Sequence, residues 1–567
     1  MILRRLVEYA DTRMDLPPPM YGETPVRWTI RLKPGGELEG FVRLGGDDKA
    51  TRRGMNLLAP TIVRAAGIKP KLLVDNGEYV LGVGREGADP KKVADRHRQF
   101  VELTRRCVSK KGEPDVRAVV DFLEAWDAGE HEGRLPEDFD PQDNVAFRVS
   151  GREPTESQSV KDFWAASTAG GGASEMMCLV TGRVGPVEQR LPVKVKGLTG
   201  IGGQASGTSL ISANKEPFES YGLENSLTSP ISRDAGERFG KALNHLLADQ
   251  KSRVFIGPSA YVFWTREESA FDPILMVKPD AESVRLLFQS PVSGRERSEV
   301  GANDFYALAL SASGGRAVVR DWLETTVLAA EENLRNWFRA QRMVSTRGEA
   351  ADPLGLYALA ASAYRDAGKE MTPQIPAALV RAAIKGGGLP EDLVARAVRR
   401  NRSEGDVTRP RAALMKLVMT YGGGEGAKMA ERLEQLDEES RGTAYNCGRL
   451  LAELEALQRA AIPGVKATIV DRYYGAASST PASVFGTLMR GHTAHIGKVR
   501  KERPGVGVAI QDRIGEITTN IGVVFPTTLT MREQAVFALG YYHQRAHNRA
   551  GARAAREARE NRDGGEG

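Results

Sequence analysis

Residue types that could do chemistry in this chain fall into two groups, one catalytic and one binding. Gly82-Val83-Gly84-Arg85-Glu86-Gly87 has the glycine spacing of a dinucleotide-binding turn, in which a helix N-terminus faces a pyrophosphate. Asp89-Pro90 starts a helix only after these glycines, and the segment before them reads as a hairpin arm, so a flexible loop is the better reading. Gly236-Glu237-Arg238-Phe239-Gly240-Lys241-Ala242 resembles a P-loop, but it is one residue short, lacks the Ser/Thr that holds magnesium and lies inside a helical pattern. His543 and His547 stand four apart without an HExxH, and His492 and His495 flank an apolar stripe; these read as surface or core histidines. Asp75, Glu78 and Asp95 are the carboxylates that could converge on a metal, but nothing in their spacing requires it. Cys107, Cys178 and Cys447 are far apart, with no CxxC, which argues against a thiolate zinc site or a disulfide framework and fits a reducing compartment. No nucleophile, base and orienter assemble. The expectation is a binding protein, with no catalytic residue, metal or cofactor.

Three segments carry binding chemistry. In the first, Lys69 and Lys71 flank Pro70 and lead into Asn76-Gly77. The Asn-Gly pair predicts a hairpin tip, whose amide either reads a base edge or merely tolerates positive φ. The second is 194–214, where Lys194 and Lys196 precede glycines at 197, 200, 202, 203 and 207, interleaved with Gln204, Ser206, Thr208, Ser209 and Asn214. Such a loop lets backbone N–H groups approach a phosphate; the alternative is a solvated loop. In the third, 396–416, Arg396, Arg399, Arg400, Arg402, Arg409, Arg411 and Lys416 face only Glu404 and Asp406. That charge attracts a phosphate backbone or forms a solvated helix face.

The elements that must position these residues come in two kinds. The chain has 567 residues, 41% hydrophobic and 27% charged, with a net charge of +6. No apolar run reaches the ~20 residues of a membrane span, and Met1-Ile2-Leu3-Arg4-Arg5-Leu6 is too charged for a secretory leader. A cytoplasmic protein without membrane contact is expected. All six tryptophans precede residue 340. The fold class is α+β: a mixed N-terminal part over 1–345, a helical connecting region over 346–428 that carries the basic stretch, and a helical bundle over 429–567. Strands are predicted at 26–32 and 38–44, joined by Lys33-Pro34-Gly35-Gly36, and near 176–184 and 191–196. Helices are predicted at 90–107, 114–127, 233–249, 317–342 and 446–462, with loop from 129 to 158. Thr480-Pro481 starts a helix, Thr530-Met531-Arg532-Glu533 is a capping box, and the tail from Arg545 should fray.

Taken together, LPPPMYGETPVRW (16–28), GIKPKLLVDNGEYVLG (67–82), CLVTGRVGPVEQRLPVKVKGLTG (178–200), GTSLISANKEPFESYG (207–222), ALNHLL (242–247), YNCGRLLAELEALQRAA (445–461), RYYGAASSTPASVF (472–485) and FALGYYHQR (537–545) resemble the large-subunit family of the type I-C CRISPR Cascade over nearly the whole chain. One departure is Ser212-Ala213-Asn214, where the family carries Ser-Phe-Asn. The resemblance implies a non-catalytic subunit of an RNA-guided surveillance complex. It would recognise the PAM in double-stranded target DNA, aid duplex opening and R-loop formation, hold the displaced strand and help recruit the helicase–nuclease. Implied partners are the crRNA, the backbone subunits, the crRNA-processing subunit and a small subunit. In this family the small subunit is also made from an internal start, for which Met429 is the candidate and Met415 and Met419 are alternatives. On this reading Asn76, Gln204, Ser206 and Asn214 contact the PAM, and Lys69, Lys71, Lys194 and Lys196 contact phosphate. Arg396, Arg399, Arg400 and Arg411 line the single-strand path. The competing readings are a metal-dependent CRISPR nuclease and a purely structural scaffold subunit.

Overall fold

The computed structural model describes residues 1–18, 20–46, 48, 51–62, 64, 67–126, 134–168, 174–289, 303–421 and 432–563. These form two compact units, one of 1–196 with 206–245, the other of 197–205 with 246–567. Mixed sheets with helices precede a helical C-terminal region, the α+β class expected from the sequence.

The first unit is built on a four-stranded sheet in the order Leu38–Arg43, Trp28–Leu32, Asn144–Val149, Asp75–Asn76. The first two strands form the expected hairpin. Asn144–Val149 lies where a loop was expected, and pairs parallel to Trp28–Leu32. Its alternation is only one strand long and is flanked by turn residues, so the partner strand more than 100 residues earlier is what makes it a strand. The helices Pro90–Lys111 and Pro114–Ala125 cover this sheet. Phe100, Leu103, Val119 and Phe122 pack with Trp28, Ile30 and Phe147. Glu175–Met177 and Val184–Pro186 form a small hairpin, and 191–196 contributes a single bridge, Val195 to Thr208.

The second unit opens with a four-stranded antiparallel meander, Arg253–Ile256, Ser259–Thr265, Asp304–Ser313 and Arg316–Thr326. The predicted helix 317–342 is therefore half strand. Gly314-Gly315 turns the chain, Arg316–Thr326 pairs back on Asp304–Ser313, and Thr326 caps the helix Val327–Gln341 through Ala329 N–H. Tyr261, Phe263 and Phe305 line one face of the meander and join the core of the helices that follow.

Two of those helices, Thr443–Ala461 and Met531–Asp563, cross at glycines. A Cβ on Gly448 would lie 2.0 Å from Phe537 O, and one on Gly540 would lie 2.1 Å from Tyr445 O. No side-chain shift relieves a clash with backbone, so the crossing requires glycine on both helices. Around it runs a buried polar chain. Arg449 Nε donates to Gln544 Oε1 at 2.9 Å, and Gln544 Nε2 donates to Glu453 Oε1 at 2.8 Å. Arg513 reaches both Glu453 oxygens, at 3.1 and 3.2 Å. Beside it, Tyr445 hydroxyl accepts from Asp437 N–H at 3.1 Å and is hydrogen-bonded to His543 Nδ1 at 2.9 Å. The capping box at Thr530 and Glu533 forms as expected. The tail does not fray: helix 531–563 runs on through it, and Arg545 is anchored on Asp406 at 2.6 Å.

Two predictions follow from this packing. Helix propensity alone would make Gly540→Ala about 1 kcal/mol stabilising. The backbone clash should reverse the sign and cost ~3 kcal/mol, read as a lower denaturant midpoint by circular dichroism. Burial lowers the His543 pKa from 6.5 to about 3, with Lys416 adding to the shift. Below pH 6.5 the unfolded chain takes up the proton first, so stability falls as pH drops from 6.5 towards 3. By pH 4.5 this group should account for a loss of about 2–3 kcal/mol. The slope of unfolding free energy against pH over that window should be shallower in His543→Phe than in the parent chain.

Candidate nucleic-acid interface

The Asn76 segment folds differently from the predicted hairpin. Asp75–Asn76 is a two-residue edge strand, and Asn76 caps the short helix Gly77–Val80, its Oδ1 accepting from Tyr79 N–H at 3.3 Å. Gly77 is needed for packing, since a Cβ there would lie 2.7 Å from the Phe139 ring. Lys71 is half-buried, its ammonium 3.4 Å from Asn144 Oδ1 and its backbone N–H bonded to Asp75 at 2.9 Å. Burial pushes the Lys71 pKa down, against the pull of Asp75. The structure thus joins Lys71 and Asn76 at the sheet edge and uses both to build it. Lys69 is exposed, its carbonyl accepting from Arg64 Nε at 2.9 Å.

The carboxylates weighed for a metal are each held by an arginine: Asp75 by Arg64, Glu78 by Arg96 and Asp95 by Arg98. Among the described residues no group of three or more His, Cys, Asp or Glu is arranged to hold a metal ion. The two glycine motifs are structural. Asp89 Oδ1 caps the helix that follows Gly82–Gly87, accepting from Lys91 N–H at 3.0 Å, and so places a carboxylate where a pyrophosphate would lie. Gly236 and Gly240 sit inside the helix Arg233–Ala248 and make room for 191–193; a Cβ on Gly240 would meet Val193 at 2.6 Å. Lys241 is bonded to Tyr21 O at 3.2 Å and to Glu237 at 3.1 Å.

Segment 194–222 divides its polar side chains: Thr208 is buried, its hydroxyl donating to Val195 O at 3.3 Å, while others are exposed. Lys194, Lys196, Gln204, Ser206 and Asn214 are all exposed. The backbone at its base is clamped by Asn244, which accepts from Lys196 N–H at 2.8 Å and donates to Lys194 O at 2.9 Å. Val195 and Thr208 exchange backbone hydrogen bonds of 2.8 Å in each direction. Gly207, at φ 95°, leaves the space Lys194 occupies, since a Cβ there would lie 2.8 Å from Lys194 Cβ. Residues 197–205 belong to the second unit and dock on the turn of its meander, with Gln204 N–H to Gly314 O at 3.2 Å and Gly314 N–H to Gly202 O at 3.0 Å. Anchored backbone and exposed side chains are what a binding loop needs.

The basic stretch divides. Arg396 and Arg399 are exposed on the helix Asp392–Glu404; Arg396 lies 5.7 Å from the Tyr364 ring centroid and 3.4 Å from Asp392. Arg400 is paired with Glu404. Arg411 is only 5% exposed and joins two helices, donating to Asn401 at 3.0 Å, to Asp406 O at 3.1 Å and to Glu404. Met429 lies outside the described residues.

The family model for CRISPR-associated protein (Cas_Csd1) matches residues 4–548. The chain belongs to this family. It is the family of the type I-C Cascade large subunit, as the resemblance implied. No curated protein matches the chain. No helix among the described residues is long and apolar enough to cross a membrane.

Within this Cas_Csd1 chain, one residue missed in the sequence reading stands out. Tyr221 is 99% exposed, at φ 54°. With Gly222 at φ 70° it forms the two-residue tip between Ser220 and Leu223, closed by Leu223 N–H to Ser220 O at 2.9 Å. Such tips favour Asn-Gly, so a tyrosine there carries strain with no packing in return. Tyr-Gly is not a standard turn signature, so only the backbone geometry reveals it. Tyr221→Asn should raise stability by about 1 kcal/mol, seen as a higher denaturant midpoint; a lower midpoint would mean that the ring is packed.

Proposed function

We propose that this large subunit reads the PAM of double-stranded target DNA through segment 194–222, and that it does so without catalysing a reaction. The observation that carries the reading is the exposed set Lys194, Lys196, Ser206, Asn214 and Tyr221 of the first unit, with the backbone at 194–196 clamped by Asn244. Lysines position on phosphate, amides and hydroxyls reach base edges, and an aromatic tip at an exposed turn wedges or stacks at a base step. Tyr221 supplies the aromatic that Ala213 lacks. Asn76 and Lys71 serve the sheet edge on this reading, and Lys69 contributes a phosphate contact beside it. Exposed Arg396 and Arg399, with the Glu404-paired Arg400, attract the displaced strand, while Arg411 on the following helix holds the helix that carries them. The partners are the crRNA, the backbone and crRNA-processing subunits, the helicase–nuclease and a small subunit begun at Met429. A separate 429–567 piece would uncover the face of helix 531–563 that packs on 392–420 here, which suits a piece that always works against a neighbour.

The test is selection by the reconstituted crRNA complex, with and without this chain, on duplexes that share a protospacer and carry randomised flanks. One short flank should be enriched only when the chain is present. Lys194→Ala with Lys196→Ala should weaken duplex binding about tenfold and lower the salt slope by ~2. Tyr221→Asn should weaken duplex opening while the fold is kept. No flank preference would leave scaffolding as the function; magnesium-dependent cutting by the purified chain would establish a nuclease.

A further inference from the structure

The second unit contains a cleft of about 790 Å³ that neither the PAM segment nor the arginine helix includes. Its walls include Phe288, Phe338, Gln341, Arg342, Met343 and Arg409. Its volume falls within the usual range for small-ligand pockets. Two donors are buried on this lining with no hydrogen-bond partner among the described residues: Gln341 Nε2 and Arg409 Nε. Gln341 is 1% exposed, and its other amide atom is already used, Oε1 accepting from Leu354 N–H at 2.8 Å. The amide therefore presents only its donor, and the complementary group is an acceptor.

Arg342 adds charge and a flat surface. Its guanidinium carbon lies 4.8 Å from the Phe288 ring centroid, and Arg339 lies 5.9 Å from the same ring. Lys416 Nζ donates to Arg342 O and fixes the backbone there. Arg342 is exposed and makes no ion pair among the described residues, and its guanidinium lies over the Phe288 ring. Arginine guanidinium planes and aromatic rings both receive unpaired bases. Gly348, Ala350 and Ala351 add small side chains to the lining. Asp352 and Glu434 are the acidic residues on the lining; Asp352 O accepts from Arg409, and Glu434 favours the charge on Lys416.

We propose that this cleft binds a single unpaired nucleotide, its base stacked on the Arg342–Phe288 pair and its acceptor oxygens taken by Gln341 and Arg409. The nucleotide is either one residue of a single strand or a free mononucleotide. The test titrates the full chain with two probes, a fluorescent five-nucleotide single strand and adenosine monophosphate, for the parent chain, Arg342→Ala, Arg342→Lys and Phe288→Leu. Thermal melts confirm that each variant is folded. Arg342→Ala should weaken binding at least tenfold, and Arg342→Lys, which keeps the charge but not the plane, should fall between. Loss for the strand alone assigns the source to a strand, and loss for both probes admits the free nucleotide. If neither probe binds, or if affinity is the same in all four proteins, the proposal is overturned. The flank selection above reads a different surface, so failure there leaves this result standing, and the reverse.

Discussion

The second unit depends on how closely two helices approach. Gly448 and Gly540 bring the backbones of 443–461 and 531–563 into contact, leaving no space for a methyl group on either side. Close approach sets the position of everything that helix 531–563 carries. Tyr542 hydroxyl donates to Val344 O at 2.8 Å, and Arg545 donates to Asp406 at 2.6 Å and to Val407 O at 2.8 Å. Helices 392–404 and 409–420 are thereby tied to the same axis. The buried chain of Arg449, Gln544, Glu453 and Arg513 then becomes possible, because its members meet only at this separation. Removing one member of such a network leaves a buried charge unsatisfied, so the network enforces the register that the glycines permit.

The first unit uses its charges differently. Arg64, Arg96 and Arg98 pair with Asp75, Glu78 and Asp95, and Lys241 and Glu237 secure the N-terminal segment, with Met20 N–H bonded to Glu237 at 3.2 and 3.1 Å. Side chains committed to the fold in this way are poor candidates for ligand contact. Segment 194–222 exposes Lys194, Lys196, Ser206, Asn214 and Tyr221, and the Asn244 side chain and the Val195–Thr208 backbone pair hold the chain at its base. The strained Tyr221 tip belongs to the same logic: a backbone conformation that asparagine or glycine would adopt more easily is occupied by an exposed aromatic.

Charge read along the chain overstated the arginine stretch. Arg396 and Arg399 are presented, Arg400 is shared with Glu404, and Arg411 is consumed between helices. Spacing along one helix face could not separate these, because Glu404, Asp406 and Asn401 take up Arg411 only when two helices turn back on one another. The same holds for Asn76: Asn-Gly is a hairpin signal when two strands flank it, but here the sheet edge ends at Asn76 and a helix begins.

The sequence by itself determined the α+β class, the hairpin at 28–43, the helices at 90–111, 114–125, 233–248 and 443–461, the capping box at Thr530 and, through its motifs taken together, the family. These are local: apolar periodicity, proline and glycine punctuation and cap residues act within a few turns of chain. The tertiary structure alone decided the strand 144–149 and the change from strand to helix at Thr326. It alone decided which arginines stay exposed, the glycine crossing and the cleft beside Phe288. Each of these depends on a partner distant in sequence, and a pairing or a burial exists only once that partner has arrived.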